Sequence, residues 1–281
     1  MTEATDDVSV QHHEEREKCE MRLLSSLAIA ISMYSKIPAP TVDWNENNMK
    51  YAMCFFPVVG IVTGLLEFGA GYALLRYTSC GKLFFAAVMT LIPVLVTGGI
   101  HLDGYADTMD ALSSYGDREK KLEILKDPNT GAFAVIGLCV YFTASLALWS
   151  EAGAAMLPAA ACMYTLSRSL SGISVVSFRP AKNSGLLRTF QDGAHRARVR
   201  IVLILFACAS SGVMLYLGMR QGSDILTGAV LAVAAALLVF LYYHQMSRKK
   251  FGGTTGDLAG YFLQICELAM LAVFVLAENM L

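Results

Sequence analysis

Asp103, Asp107 and Asp110 fall at i, i+4 and i+7 in the stretch TGGIHLDGYADTMDALSSYGDREKKLEILKDPNTGAF. On an α-helix these positions share one face. Three carboxylates stacked on a face repel one another unless a cation lies between them. Hard oxygen donors suit Mg²⁺, which takes one or two protein carboxylates and fills its shell with substrate phosphates and water. The three aspartates are therefore candidate metal ligands and, with His101 just ahead of them, candidate catalytic groups. Gly98, Gly99 and Gly104 would let a backbone or a ligand approach closely. The competing reading is a solvated acidic face at a membrane boundary, with His101 a satisfied structural histidine.

Other polar groups are candidates for holding an anionic substrate. Lys126 and Asp127 close the same loop, where Asp127-Pro128-Asn129 equally reads as a turn and helix start. A second loop, RKKFGGTTGDLAG, offers Thr254, Thr255 and Asp257 among glycines. It reads as a phosphate- or metal-cradling turn or as plain turn chemistry, and it lacks the GxxxxGK[ST] pattern of a P-loop. Residues 178–200 carry six basic side chains, Arg179 and Arg188 among them, suited to lipid headgroups or to a phosphorylated substrate. Arg168 sits well inside an apolar run, where charged groups are rare and face a cavity or a partner. It predicts either a substrate-phosphate contact or an ion pair with Glu67 or Glu267.

The elements that must position these groups are membrane helices. Of 281 residues, 55% are apolar and only 16% charged, too few charges to cover a soluble protein of this size. The mean hydropathy is +0.50. The net charge of −1 points to no nucleic-acid partner. Seven scattered cysteines without a CxxC pair read as buried thiols, neither a disulfide framework nor a zinc site. Apolar runs at 51–75, 83–100, 131–150, 152–177, 199–218, 225–243 and 258–279 each approach the roughly 20 residues needed to cross a bilayer. Residues 23–34 are too short and predict a re-entrant or interfacial helix. The expected fold is an all-α polytopic bundle of about seven spans, with a polar tail at 1–22 and one catalytic domain at 23–281. Alternating the connections places eighteen of the 22 basic residues on the N-terminal side and three on the other, with Arg168 inside a span. The positive-inside rule then predicts a cytoplasmic N-terminus in the cell (inner) membrane, with both polar loops on the cytoplasmic face.

The motifs resemble those of a known family. KIPAP is similar to its R-L-P-x-P element, with Lys36 where Arg is more frequent, and FFPVVGIVTG to its P-L-V-G-x-x-x-G element. GGIHLDGYADTMDAL matches G-G-x-H-L-D-G-x-A-D-T-x-D. LEILKDPNTGAFAVIGL and GGTTGDLAGYFLQICE resemble two further elements, and all five occur in order between about residues 36 and 267. On these motifs the chain resembles the cobalamin synthase family, the adenosylcobinamide-GDP ribazoletransferases. The resemblance implies a late, Mg²⁺-dependent step of cobalamin assembly. An α-ribazole hydroxyl, or that of its 5′-phosphate, attacks the phosphoryl group on cobinamide, and GMP leaves. The implied partners are adenosylcobinamide-GDP, α-ribazole and the lipid bilayer, with self-association or association with other cobalamin-assembly enzymes left open. Asp257 becomes a candidate fourth metal contact, and one aspartate or His101 a candidate proton acceptor.

Two alternatives make different expectations. A CDP-alcohol phosphotransferase would carry D-G-x-x-A-R-x₈-G-x₃-D-x₃-D, but here Asp103-Gly104 leads to Ala106-Asp107 without the Arg. A transporter using Glu67, Arg168 and Glu267 as a relay would concentrate its polar groups at midplane and show inverted repeats. Here the densest polar cluster lies in the loops.

Overall fold

The computed structural model describes residues 20–181, 190 and 195–280. Residues 1–19 of the expected tail and Arg188 lie outside that set. In hydrocarbon no water satisfies the backbone, so apolar runs must close their own hydrogen bonds as helices. The long runs do so. Helix α1 covers residues 20–34, and α2, Glu46–Met49, leads through a 3₁₀ turn at Ala52–Phe55 into α3, Phe56–Tyr77. Pro57 occupies the first turn of α3, where its missing N–H leaves no bond unmade. Then follow α4, Lys82–Thr97; α5, Ile100–Ser113; α6, Arg118–Ile124; and α7, Ala132–Ser150. The chain continues as α8, Leu157–Ala160; α9, Met163–Ser177; α10, Arg196–Gln221; α11, Ser223–Met246; and α12, Gly256–Met280. A π-helical turn, Ser247–Phe251, follows α11. Among the described residues there is no strand, only an isolated bridge between Pro180 and Thr254.

Five of these elements are long and apolar enough to cross a membrane, and at most six if a bent pair counts as one span. Two of the seven expected runs behave differently. Residues 83–100 form the 16-residue α4, which turns through 97° into α5. Residues 152–177 split into α8 and the 15-residue α9. Helix α9 is serine-rich, and Ser167, Ser169, Ser171 and Ser174 are all buried. A helix enclosed by protein need not present an apolar surface to lipid, and hydroxyls can bond back to its own carbonyls, as Ser169 does to Thr165 at 2.6 Å. Among the described residues helix α1 covers 15.

The connections gather at two ends of the bundle. At one end Lys82 pairs with Glu151 at 3.5 Å, the Gly153 amide donates to Glu278 at 2.7 Å, and Asn279 donates to the Glu151 carbonyl at 3.0 Å. At the other end Lys36 donates its amide to Val96, Arg118 reaches the Ala181 carbonyl, and Thr254 bonds the Arg179 carbonyl. Both polar loops singled out in the sequence lie at this second end. Helix α12 ties the two together, with Tyr243 of α11 stacked on its Phe262 at 5.1 Å and its first turn under α5.

Candidate functional site

The acidic helix is aimed by two glycines. Gly98 and Gly99 both have positive φ, 66° and 80°, a conformation costly for any residue with a Cβ. Together they end α4 and start α5 at near a right angle, and the 14-residue α5, too short to cross a membrane by itself, packs between α7 and α12. At Gly104 the backbone of α5 rests on that of Asp257, where a Cβ would come within 2.8 Å of the Asp257 Cα. One turn along the α12 axis, Tyr261 stacks on Tyr105 at 5.7 Å, and Tyr105 also donates to the Gly137 carbonyl of α7 at 3.3 Å. Two acidic stretches some 150 residues apart in sequence are thereby brought side by side.

Asp103 is exposed and Asp107 half-buried, and both line an open cavity of about 430 Å³ with Gly98, Gly99, Thr130 and Phe142. The Asp107 carboxyl is pushed up to about 6, first by burial and then by the charges of Asp103, Asp257 and Asp110. Asp103 and Asp107 are one helical turn apart, and a pair of carboxylates facing an open cavity fits Mg²⁺ that takes its remaining ligands from water and substrate phosphates. A closed cage does not fit: among the described residues no three His, Cys, Asp or Glu side chains converge closely enough to hold a metal.

Asp110 points elsewhere. Its Oδ2 accepts the Gly131 amide at 2.6 Å and its Oδ1 the Ala134 amide at 2.9 Å. The helical spacing is right for a shared face, but these two bonds turn the Asp110 carboxylate onto the start of α7, and it does not line the cavity. His101 is also apart from the cavity. It is buried between Tyr34 and Phe56, with ring centroids at 6.2 and 5.7 Å, and burial with the nearby Arg168 pushes its pKa down to about 3. A proton acceptor works best with a pKa near the operating pH, which this imidazole lacks.

Of the two expectations for Arg168, the structure gives the ion pair. The side chain is fully buried, and Nη1 meets Glu267 Oε1 at 2.7 Å and the Tyr164 carbonyl at 3.1 Å. Ser167 donates to the same Glu267 oxygen at 2.7 Å. No open surface reaches this guanidinium. Glu67, the other candidate partner, is buried with the Tyr164 hydroxyl and the Arg168 charge nearby.

Lys126 and Asp127 are exposed at the site end, and Asp127 accepts from the amide and side chain of Asn129 at 2.9 and 2.7 Å, which is turn chemistry. Thr254 is buried and bonded to the Tyr243 hydroxyl, while Thr255 Oγ1 accepts the Leu258 amide at 3.2 Å and caps α12. Both threonines therefore shape the turn rather than face the cavity. Arg179 is exposed beside them, its carbonyl held by the Thr254 amide at 2.8 Å.

Two basic residues matter more than their sequence positions reveal. Lys121 is buried and donates to the carbonyls of Ala111 at 2.8 Å and Ser114 at 2.6 Å, closing the C-terminus of α5. A lysine is almost never buried without partners, but nothing in KKLEIL marks which lysine will be. Arg118 lies over Gly252, on the same end as the exposed Arg248, Lys249 and Lys250 of the π-helical turn.

Residues 26–275 match the model of the cobalamin-5-phosphate synthase family. Among similar proteins, one from Lachnoclostridium phytofermentans is 46% identical over 264 residues, covering 93% of this chain and 97% of its own, and is named adenosylcobinamide-GDP ribazoletransferase. Proteins of the same name from Clostridium botulinum strain Alaska E43 and from Treponema denticola are 32% and 31% identical, over 88% and 89% of this chain and 95% and 96% of their own. No solved structure matches.

Proposed function

The chain belongs to the cobalamin-5-phosphate synthase family, and from that membership we propose that it joins α-ribazole, or its 5′-phosphate, to adenosylcobinamide-GDP. GMP is released and the nucleotide loop of adenosylcobalamin, or of its 5′-phosphate, is closed. The observation that carries this reading is the near full-length similarity to a ribazoletransferase, 46% identical over 93% of the chain. The chain is a multi-helix membrane transferase. Its substrate, metal and orientation are what we propose.

Phosphoryl transfer asks mainly for positioning and neutralised charge. In this reading Asp103 and Asp107 would hold Mg²⁺, with Asp257 adding negative charge from the first turn of α12. The bound metal would neutralise the diphosphate oxygens and ease departure of GMP. Arg118, Arg179, Lys126 and the basic residues of the π-helical turn provide positive charge for the remaining phosphate oxygens. The α-ribazole hydroxyl attacks phosphorus, the bond to the GMP oxygen breaks, and a carboxylate of the aspartate group accepts the hydroxyl proton. The site end faces the cytoplasm, as the bias of basic residues in the connections argues.

The test is product identification. The purified chain in lipid vesicles, given adenosylcobinamide-GDP, α-ribazole and Mg²⁺, should form a looped corrinoid and an equal amount of GMP. Failure to form the corrinoid under conditions where a known ribazoletransferase does so would refute the reading.

A further inference from the structure

Resting on the proposed function, we infer that Asp110 is a positioning residue that clamps the metal-bearing helix α5 to the start of α7, and not a ligand of the metal. Its two oxygens accept two of the otherwise unpaired amides at the start of α7, Gly131 at 2.6 Å and Ala134 at 2.9 Å. Both carboxylate oxygens are thus engaged, and the negative charge sits at the positive end of a 19-residue helix dipole. The two amides hold the carboxylate against the start of α7, and Asp110 does not line the cavity that Asp103 and Asp107 share.

The joint is built from both sides. Gly131 has an ordinary φ of −85°, so its backbone does not demand glycine. A Cβ there would instead lie 2.6 Å from both Asp110 oxygens, so the missing side chain makes room for the carboxylate. Just beyond Asp110, Lys121 Nζ gathers the carbonyls of Ala111 and Ser114 and the Ser114 hydroxyl, at 2.8, 2.6 and 3.1 Å. Helix α5 is therefore fixed at its far end by one buried cation, while its last acidic residue is fixed to the next helix. Asp103 and Asp107 lie on the stretch between this joint and the two-glycine bend. The cavity they line is walled on its other side by Leu138 and Phe142 of α7, so the clamp sets the distance from carboxylates to wall.

The experiment compares Asp110→Asn, Gly131→Ala, the double variant and Asp103→Asn in lipid nanodiscs. Three readouts are Mg²⁺ titration calorimetry, amide hydrogen exchange at positions 131 and 134, and steady-state GMP release. An asparagine has one acceptor oxygen and an alanine methyl displaces the carboxylate, so each single change breaks the clamp by a different route. Both should speed exchange at positions 131 and 134 by roughly tenfold, the size of one lost cap. Both should lower kcat while leaving the Mg²⁺ Kd within about twofold, and the double variant should be no worse than the poorer single one. Asp103→Asn should instead abolish Mg²⁺ binding with slow exchange at positions 131 and 134. Loss of Mg²⁺ affinity in Asp110→Asn but not in Gly131→Ala would make Asp110 a ligand and overturn the inference, as would unchanged exchange in both. A wild-type chain that binds no Mg²⁺ would refute the metal in the proposed function, and the exchange rates would still decide the clamp.

Discussion

Replacing Arg168 by Gln tests how the centre of the bundle is held. The guanidinium and the Glu267 carboxylate are 1% and 5% exposed and 2.7 Å apart, linking α9 to α12. Arg168→Gln removes that contact and the bond to the Tyr164 carbonyl, and leaves Glu267 with the Ser167 hydroxyl alone. Breaking a buried pair by removing one partner costs about 3–5 kcal/mol, because a buried charge is left uncompensated. Glu267→Gln should cost a similar amount. The double exchange to Gln at both positions removes both charges and should cost little more than either single change, giving a coupling about as large as one single loss, roughly 3–5 kcal/mol. Equilibrium unfolding in mixed micelles, run as a double-mutant cycle, measures it, and turnover should follow stability through the series. An Arg168→Gln protein of full stability and no turnover would refute the ion-pair account and return Arg168 to the substrate. Strictly additive losses would also refute it.

Three further outcomes follow from the site. Asp103→Asn keeps the side-chain shape and removes its charge, so turnover should fall by about 10²-fold or more, as expected for lost electrostatic stabilisation of a transferring group; a change under threefold in GMP release would count against a role in the site. The Asp107 carboxyl, pushed up to about 6, is protonated below that pH and must lose its proton to bind a cation, so Mg²⁺ affinity should hold above pH 7 and fall about tenfold per unit below pH 6. Calorimetry across pH 5–8 reads this slope, which Asp107→Asn should flatten. In a background lacking the other cysteines, Ser114→Cys at the site end should resist an impermeant thiol reagent in intact cells, while native Cys80 at the opposite end should react; the reverse pattern would invert the proposed orientation.

Much of the fold is legible as hydropathy. The runs at 131–150, 199–218, 225–243 and 258–279 each correspond to a single long helix. Hydropathy fails where protein replaces lipid as the solvent. Residues 152–177 split into α8 and the short, serine-rich α9, which is enclosed by other helices, and Gly98-Gly99 breaks a run that reads as continuous. Within the site, the i, i+4 pair Asp103 and Asp107 shares its cavity as the spacing implies. The third aspartate has the right angular position but stands beside the first turn of α7, whose unpaired amides take its carboxylate. That competition depends on how two helices pack and leaves no trace in the spacing. Arg168 is the converse case: its isolation within an apolar run leaves a substrate phosphate and a buried carboxylate equally open, and only the packing of α9 against α12 pairs it with Glu267.

The most direct measurement is α-ribazole-dependent GMP release from adenosylcobinamide-GDP by the lipid-reconstituted chain, followed against Mg²⁺ concentration beside Asp103→Asn. The account predicts release that requires both α-ribazole and Mg²⁺, saturates with the metal, and collapses in the variant. Release that proceeds without α-ribazole, or that is indifferent to Mg²⁺ and to Asp103, would contradict it.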